Sequence, residues 1–69
     1  MKWVAVESSL LMEVAYERGD QVLWIRFLND RTYRYQNVPA EVYTDLLDAE
    51  SKGRFFNLEI KEIYACVRL

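Results

Sequence analysis

Val22-Leu23-Trp24-Ile25-Arg26-Phe27-Leu28-Asn29-Asp30-Arg31-Thr32-Tyr33-Arg34-Tyr35 is the stretch on which the fold turns. Its last three residues place two aromatic rings two positions apart. On a strand these rings share one face, with the arginine between them on the other. Upstream, Val22 to Leu28 is β-branched and aromatic throughout and reads as a strand. Leu23, Ile25 and Phe27 line one face; Val22, Trp24, Arg26 and Leu28 line the opposite one. Between the two segments, Leu28-Asn29-Asp30 supplies a turn, because Asn and Asp tolerate the left-handed conformation better than other residues with a side chain. A three-residue loop with Asp30 left-handed sets Tyr33 opposite Ile25 and Tyr35 opposite Leu23. A two-residue Asn29-Asp30 turn would instead carry both tyrosines to the side of Trp24 and Arg26, since one step of slip exchanges the faces. The first register is preferred. It gives one continuous apolar face and one face carrying Glu13, Arg26, Thr32, Arg34 and Gln36.

Toward the N-terminus, Leu10 to Glu17 reads as the preceding strand, with Leu10, Met12, Val14 and Tyr16 on the apolar face and Glu13 and Glu17 on the other. The polar Arg18-Gly19-Asp20-Gln21 stretch forms the turn, with a glycine suited to a tight bend. It sets Tyr16 beside Leu23 and Val14 beside Ile25. Ser8-Ser9 marks a bend. Trp3-Val4-Ala5-Val6 offers a short edge strand. Toward the C-terminus, Val38-Pro39 opens a helix, with proline at its favoured first position. Val42, Tyr43, Leu46 and Leu47 form its apolar stripe. Ser51 is placed as the N-cap of a second helix, where Phe56, Ile60, Ile63 and Tyr64 recur at helical spacing. Ala65 to Leu69 alternates weakly, leaving two arrangements open: along the sheet or against residues 3–6. The expected architecture is α+β: a three-stranded antiparallel meander, then two helices packed on one face, with room for short terminal strands. The whole of 1–69 is expected to form one domain.

A chain of 69 residues buries only about 60% of the surface exposed on unfolding. The 52% apolar and 14% aromatic content compensates, because large rings bury much area per residue. Nine Lys and Arg against eleven Asp and Glu give a net charge of −2, which supports no global attraction to nucleic acid or anionic membrane. The single cysteine, Cys66, excludes an internal disulfide and suits a reducing compartment. No apolar run reaches bilayer-spanning length, and Met1-Lys2-Trp3 does not open a signal peptide. A cytoplasmic, membrane-independent protein is expected.

Several features in this order resemble the KTSC family, named for a domain at the C-terminus of some lysyl-tRNA synthetases. They are Ser8-Ser9, Tyr16, Leu23-x-Ile25-x-Phe27, Tyr33-Arg34-Tyr35, and Val38-Pro39 with Tyr43. Ser51-Lys52-Gly53-Arg54-Phe55-Phe56-Asn57 and Ile60 with Tyr64 complete the set. Together they cover the chain from about Val6 to Leu69. The Tyr-x-Tyr centre and the Ser-Lys-Gly-Arg-Phe-Phe-Asn run are the most specific. The resemblance implies a small domain that occurs both appended to the synthetase and as a stand-alone bacterial or phage protein. Through the synthetase it implies RNA binding. Asp30 stands where the family usually has glycine after the second strand, a departure bearing on turn stability rather than function.

The residues favour no enzyme. Histidine is absent, so the commonest base near neutral pH is missing, and Cys66 has no histidine to activate it. Asp45 and Asp48 lie one helical turn apart on a solvated face, without the ligand set that zinc or calcium needs. No cofactor is expected. A non-enzymatic binding module remains, for RNA or single-stranded nucleic acid by the family resemblance. Trp24, Arg26 and Arg34 on the open face of the sheet could stack bases and pair with phosphates. Lys52 and Arg54 at the start of the second helix could hold an anion. Tyr33, Tyr35, Phe56 and Tyr64 are expected mainly in the core. The alternative is a protein partner or a homodimer joined through Trp24, Val22 and Leu28 on the helix-free face, or through an unprotected edge strand.

Overall fold

The strand pattern becomes a five-stranded antiparallel sheet in a computed structural model that describes residues 2–69. In chain order the elements are β1 (Val4–Ala5), β2 (Leu11–Glu17), β3 (Val22–Phe27), β4 (Thr32–Tyr35), α1 (Ala40–Asp48), α2 (Lys52–Glu59) and β5 (Cys66–Arg68). The strands lie side by side in sequence order. Both helices come from the β4–β5 connection and cover one face. The meander β2–β3–β4 is as the sequence predicts, and both terminal segments add a strand. Tyr33-Arg34-Tyr35 is therefore not at the edge of the sheet. Cys66 pairs with Tyr35, Val67 with Arg34, and Arg68 with Tyr33.

The β3–β4 hairpin takes the three-residue loop. Asp30 has φ 68°, its N–H donates to the Phe27 carbonyl, and the Phe27 N–H donates to the Arg31 carbonyl. Leu23 then faces Tyr35 and Ile25 faces Tyr33, which puts both tyrosines on the helix side. The β2–β3 turn differs from expectation. Its left-handed residue is Gln21 at φ 55°, whereas Gly19 keeps a negative φ and donates its N–H to the Glu17 carboxylate. The Gln21 carbonyl accepts from the Val38 N–H, which ties this turn to the entry of α1.

Two further expectations shift. In β2 the pairing slips between Leu11 and Glu13, so a bulge at Met12 buries Leu11 fully in the core, while Leu10 packs only at its margin. In α2 the helical stripe ends early. The chain leaves the helix at Ile60, whose φ of −126° and ψ of −49° break the repeat, and Ile63 is exposed. Tyr64 still packs against the core from the following turn. Pro39 occupies the N-cap of α1 rather than the predicted first helical position, which Ala40 takes.

The core lies between sheet and helices. Leu11, Val14, Leu23, Ile25, Val38, Leu46 and Ile60 are fully buried, and Phe27, Tyr35 and Phe56 nearly so. Fully burying one such side chain stabilises by roughly 1.5–3 kcal/mol, which is how so short a chain offsets its ordering entropy.

Candidate nucleic-acid interface

The helix-free face is built from the residues that alternate outward. Trp24 pairs directly with Arg34, and Arg34 with Val67, so indole, guanidinium and valine form a row across three strands. Trp24, Arg34 and Val22 line a shallow concavity of about 340 Å³ with Asp20, Gln36 and Asn37. Arg34 makes no ion pair or side-chain hydrogen bond among the described residues. Arg26 is differently placed. It forms an ion pair with Glu13, approaches the Thr32 hydroxyl at 3.4 Å, and its guanidinium carbon lies 4.8 Å from the centre of the Trp3 ring. An arginine held by a carboxylate and an indole ties the segment entering β1 to β2 and β3, and part of its donor capacity is already taken. Ala15, the cross-strand partner of Trp24, is fully buried on this face. Trp24, its cross-strand partner, and Trp3, which lies against Arg26, are both half-buried, so part of this surface is covered. The apolar patch is smaller than the sequence suggests, and Leu28 lies in the hairpin turn.

Lys52 and Arg54 are on the opposite side of the molecule. The structure therefore does not bring them together with Trp24 and Arg34. The Lys52 ammonium donates to the Ala49 carbonyl at 3.0 Å, closing the α1–α2 link. The Ser51 hydroxyl accepts from the Arg54 N–H and caps α2. Gly53 lets the helix approach closely, because a Cβ there would sit a tight 3.3 Å from the Leu10 Cβ. Ser8, whose hydroxyl accepts from the N–H groups of Leu10 and Leu11, shapes the loop against which α2 rests. Most of the Ser-Lys-Gly-Arg-Phe-Phe-Asn run thus docks the helix. Arg54 remains exposed.

A second concavity, of about 360 Å³, opens between α2 and the β4–β5 side of the sheet. Phe27, Tyr33, Tyr35 and Phe56 form its floor. Phe27 meets Tyr33 and Phe56 edge to face at 5.8 and 5.2 Å, and Phe56 meets Tyr35 at 5.6 Å. Tyr33 is half-buried and Tyr35 is 3% exposed. Burial, with Cys66 and Tyr33 close by, pushes the Tyr35 hydroxyl far above its ordinary range, so it stays protonated. Arg31, Lys61, Asn57 and Cys66 line the opening, and the sequence pattern assigns none of the first three to a site. One signal was available: in the three-residue register, Arg31 alternates onto the same side as Tyr33 and Tyr35. Lys61 could not be placed without knowing where α2 ends.

At the far end of the helix side, Tyr16 and Tyr43 stack with ring centres 4.9 Å apart, and the Tyr16 hydroxyl donates to the Val38 carbonyl. Burial raises both hydroxyls, with Arg18 opposing it weakly. Among the described residues no three Cys, Asp or Glu side chains gather as a metal site, and no helix is long and apolar enough to cross a membrane.

An antiparallel sheet in sequential order, with a helix pair docked through an N-capped Gly-containing turn and a Tyr-x-Tyr strand, defines a small α+β domain class. The chain belongs to the KTSC domain family, whose sequence profile matches residues 7–64. It is similar to the crystal structure of a KTSC domain protein from Yersinia pestis, with a TM-score of 0.96 and 32% identity over 99% of this chain and 96% of that one. A protein of Tsukamurella paurometabola is 45% identical over 64 residues, 93% of this chain and 96% of that protein. A lysine–tRNA ligase of Nostoc punctiforme is 42% identical over 55 residues, covering 80% of this chain but 10% of the ligase. The domain thus also occurs as a small part of a much larger enzyme.

Proposed function

We propose that this domain is a non-enzymatic module that binds single-stranded RNA through its helix-free face. The observation carrying this reading is the Trp24–Arg34 cross-strand pair: an indole for a base to stack on, directly beside a guanidinium with no partner of its own among the described residues. The related segment within a lysine–tRNA ligase supports RNA as the polymer. Arg26 serves the face by holding Trp3 and Glu13 in place. Lys52 and Arg54 lie too far round the molecule to contribute to the same contact. With one free arginine in the concavity, binding is weak and rests on stacking more than on charge.

The test is a titration of short single-stranded RNA, at low and at physiological salt, followed by tryptophan fluorescence. Quenching should saturate and weaken as salt rises. Trp24→Ala should remove about 1–3 kcal/mol, the usual worth of one base–aromatic stack. Arg34→Gln should flatten the salt dependence by about 0.7 in log–log slope. No binding at low salt would sink the proposal.

A second reading is favoured by Val67 and Leu69, which are 41% and 60% exposed on and just beyond the edge strand β5. An apolar edge of this kind pairs with another protein or a second copy. Sizing chromatography separates the cases: a concentration-independent monomeric profile removes self-association.

A further inference from the structure

We propose that the groove between α2 and the β4–β5 side of the sheet is a separate binding site for a free nucleoside monophosphate. This does not rest on RNA binding by the helix-free face, since the two lie on opposite sides of the sheet. The first observation is Tyr35, which is only 3% exposed. Yet its hydroxyl bonds to no described side chain or backbone group, and no described polar side-chain atom is both enclosed and unpartnered. The hydroxyl therefore opens to the groove as a ready donor, and burial of the ring keeps its proton in place. A buried ring whose hydroxyl has no protein partner and reaches the surface of a concavity is a donor placed for a ligand to take up.

The second observation is the distribution of charge and π surface. Half-buried Tyr33 offers a ring face for stacking over an aromatic floor. Arg31 and Lys61 stand at the rim, neither in an ion pair among the described residues, and Asn57 adds an amide that can read a base edge. Glu62 is the one carboxylate among the described residues on the rim. Two cations against one anion suit a single phosphate, while the carboxylate repels a continuing phosphodiester chain. The volume of about 360 Å³ lies at the small end of ligand sites, again fitting a monomer rather than a strand.

The experiment measures AMP and CMP binding by equilibrium dialysis with the full chain, alongside the rate at which Cys66, exposed beside Tyr35 and the only thiol, reacts with a chromogenic disulfide. Saturable AMP binding that slows Cys66 labelling is expected. Tyr35→Phe keeps the ring and should weaken AMP about fivefold, as loss of one hydrogen bond does. Lys61→Gln should weaken it several-fold and reduce its salt dependence. Thermal melts check that both variants fold, and Trp24→Ala should leave AMP binding unchanged. The proposal is overturned by no saturation at millimolar AMP, by wild-type affinity in Tyr35→Phe, or by loss in Trp24→Ala. It is also overturned if a 5′-phosphorylated oligonucleotide binds the groove tenfold more tightly than AMP, or if only peptides with a C-terminal aromatic residue protect Cys66.

Discussion

Asp30 holds the hairpin on which the register depends, at φ 68°. An L-residue in that conformation crowds its Cβ against the backbone, and Asp escapes only part of the penalty through its short polar side chain. Glycine adopts it freely but loses more entropy on folding. The balance favours glycine here, so Asp30→Gly should raise stability by up to about 1 kcal/mol, and Asp30→Val should lose about 1–2 kcal/mol. Urea denaturation of the three proteins checks the order. An Asp30→Val protein as stable as the parent would mean that the loop does not need a left-handed residue. The same residue sets the roles of Tyr33, Arg34 and Tyr35: with the three-residue loop, both rings go to the helices and the arginine goes to the open face.

The element most in need of close fitting is α2. Its N-cap, its Lys52 bond to Ala49 and its glycine all act at one end, where the helix meets the Ser8–Leu10 loop. Any Cβ at residue 53 comes within 3.3 Å of the Leu10 Cβ, an atom fixed to the backbone that cannot swing away. Gly53→Ala sets this crowding against the gain of about 1 kcal/mol in helix propensity. Gly53→Val keeps only a small part of that gain, because branching at Cβ costs helix stability, and it adds more bulk. It should therefore destabilise by about 1–3 kcal/mol, in the range of overpacking. In a Leu10→Gly background, which removes the opposing Cβ, part of that loss should return; strict additivity of the two changes in a double-mutant cycle would refute the contact. Legibility differs between elements for physical reasons. The β3–β4 hairpin was plain because alternation and turn chemistry agree there, while β2–β3 was legible from alternation and turn length although Gln21, not Gly19, takes the left-handed place. The Met12 bulge was not, since Leu10, Leu11 and Met12 are all apolar and either phase of alternation satisfies them. The end of α2 was hidden because Ile60, Ile63 and Tyr64 keep helical spacing after the helix has stopped. β5 is three residues long, too short for any period to declare itself. For the candidate sites, Trp24 and Arg34 follow from strand alternation alone, whereas Lys61 depends on the helix end.

Across the whole molecule the sheet separates two functions of its aromatic residues. Trp3 and Trp24 serve the helix-free face; Tyr16, Tyr33, Tyr35, Tyr43, Phe27 and Phe56 lie under or beside the helices. Several of those rings are tyrosines, so the core carries hydroxyl groups whose deprotonation the fold disfavours. Burial raises Tyr35 most, and also Tyr16 and Tyr43, above the ordinary value of 10.0. In the unfolded chain these groups lose their protons near that value, while in the folded chain they keep them. Between the two values the folded state binds more protons, so stability falls as pH rises. Below the ordinary value both states are protonated, and the tyrosine contribution is fully present. The urea midpoint should therefore hold from neutrality to about pH 9.5 and then decline, with a slope reflecting up to about three protons. Tyr35→Phe removes the most shifted group and should make that decline shallower by up to about one proton, even where its neutral-pH stability matches the parent. A variant with an unchanged alkaline slope would mean that Tyr35 titrates alike in both states, and hence that its hydroxyl is solvated in the fold rather than held within the groove between α2 and the sheet.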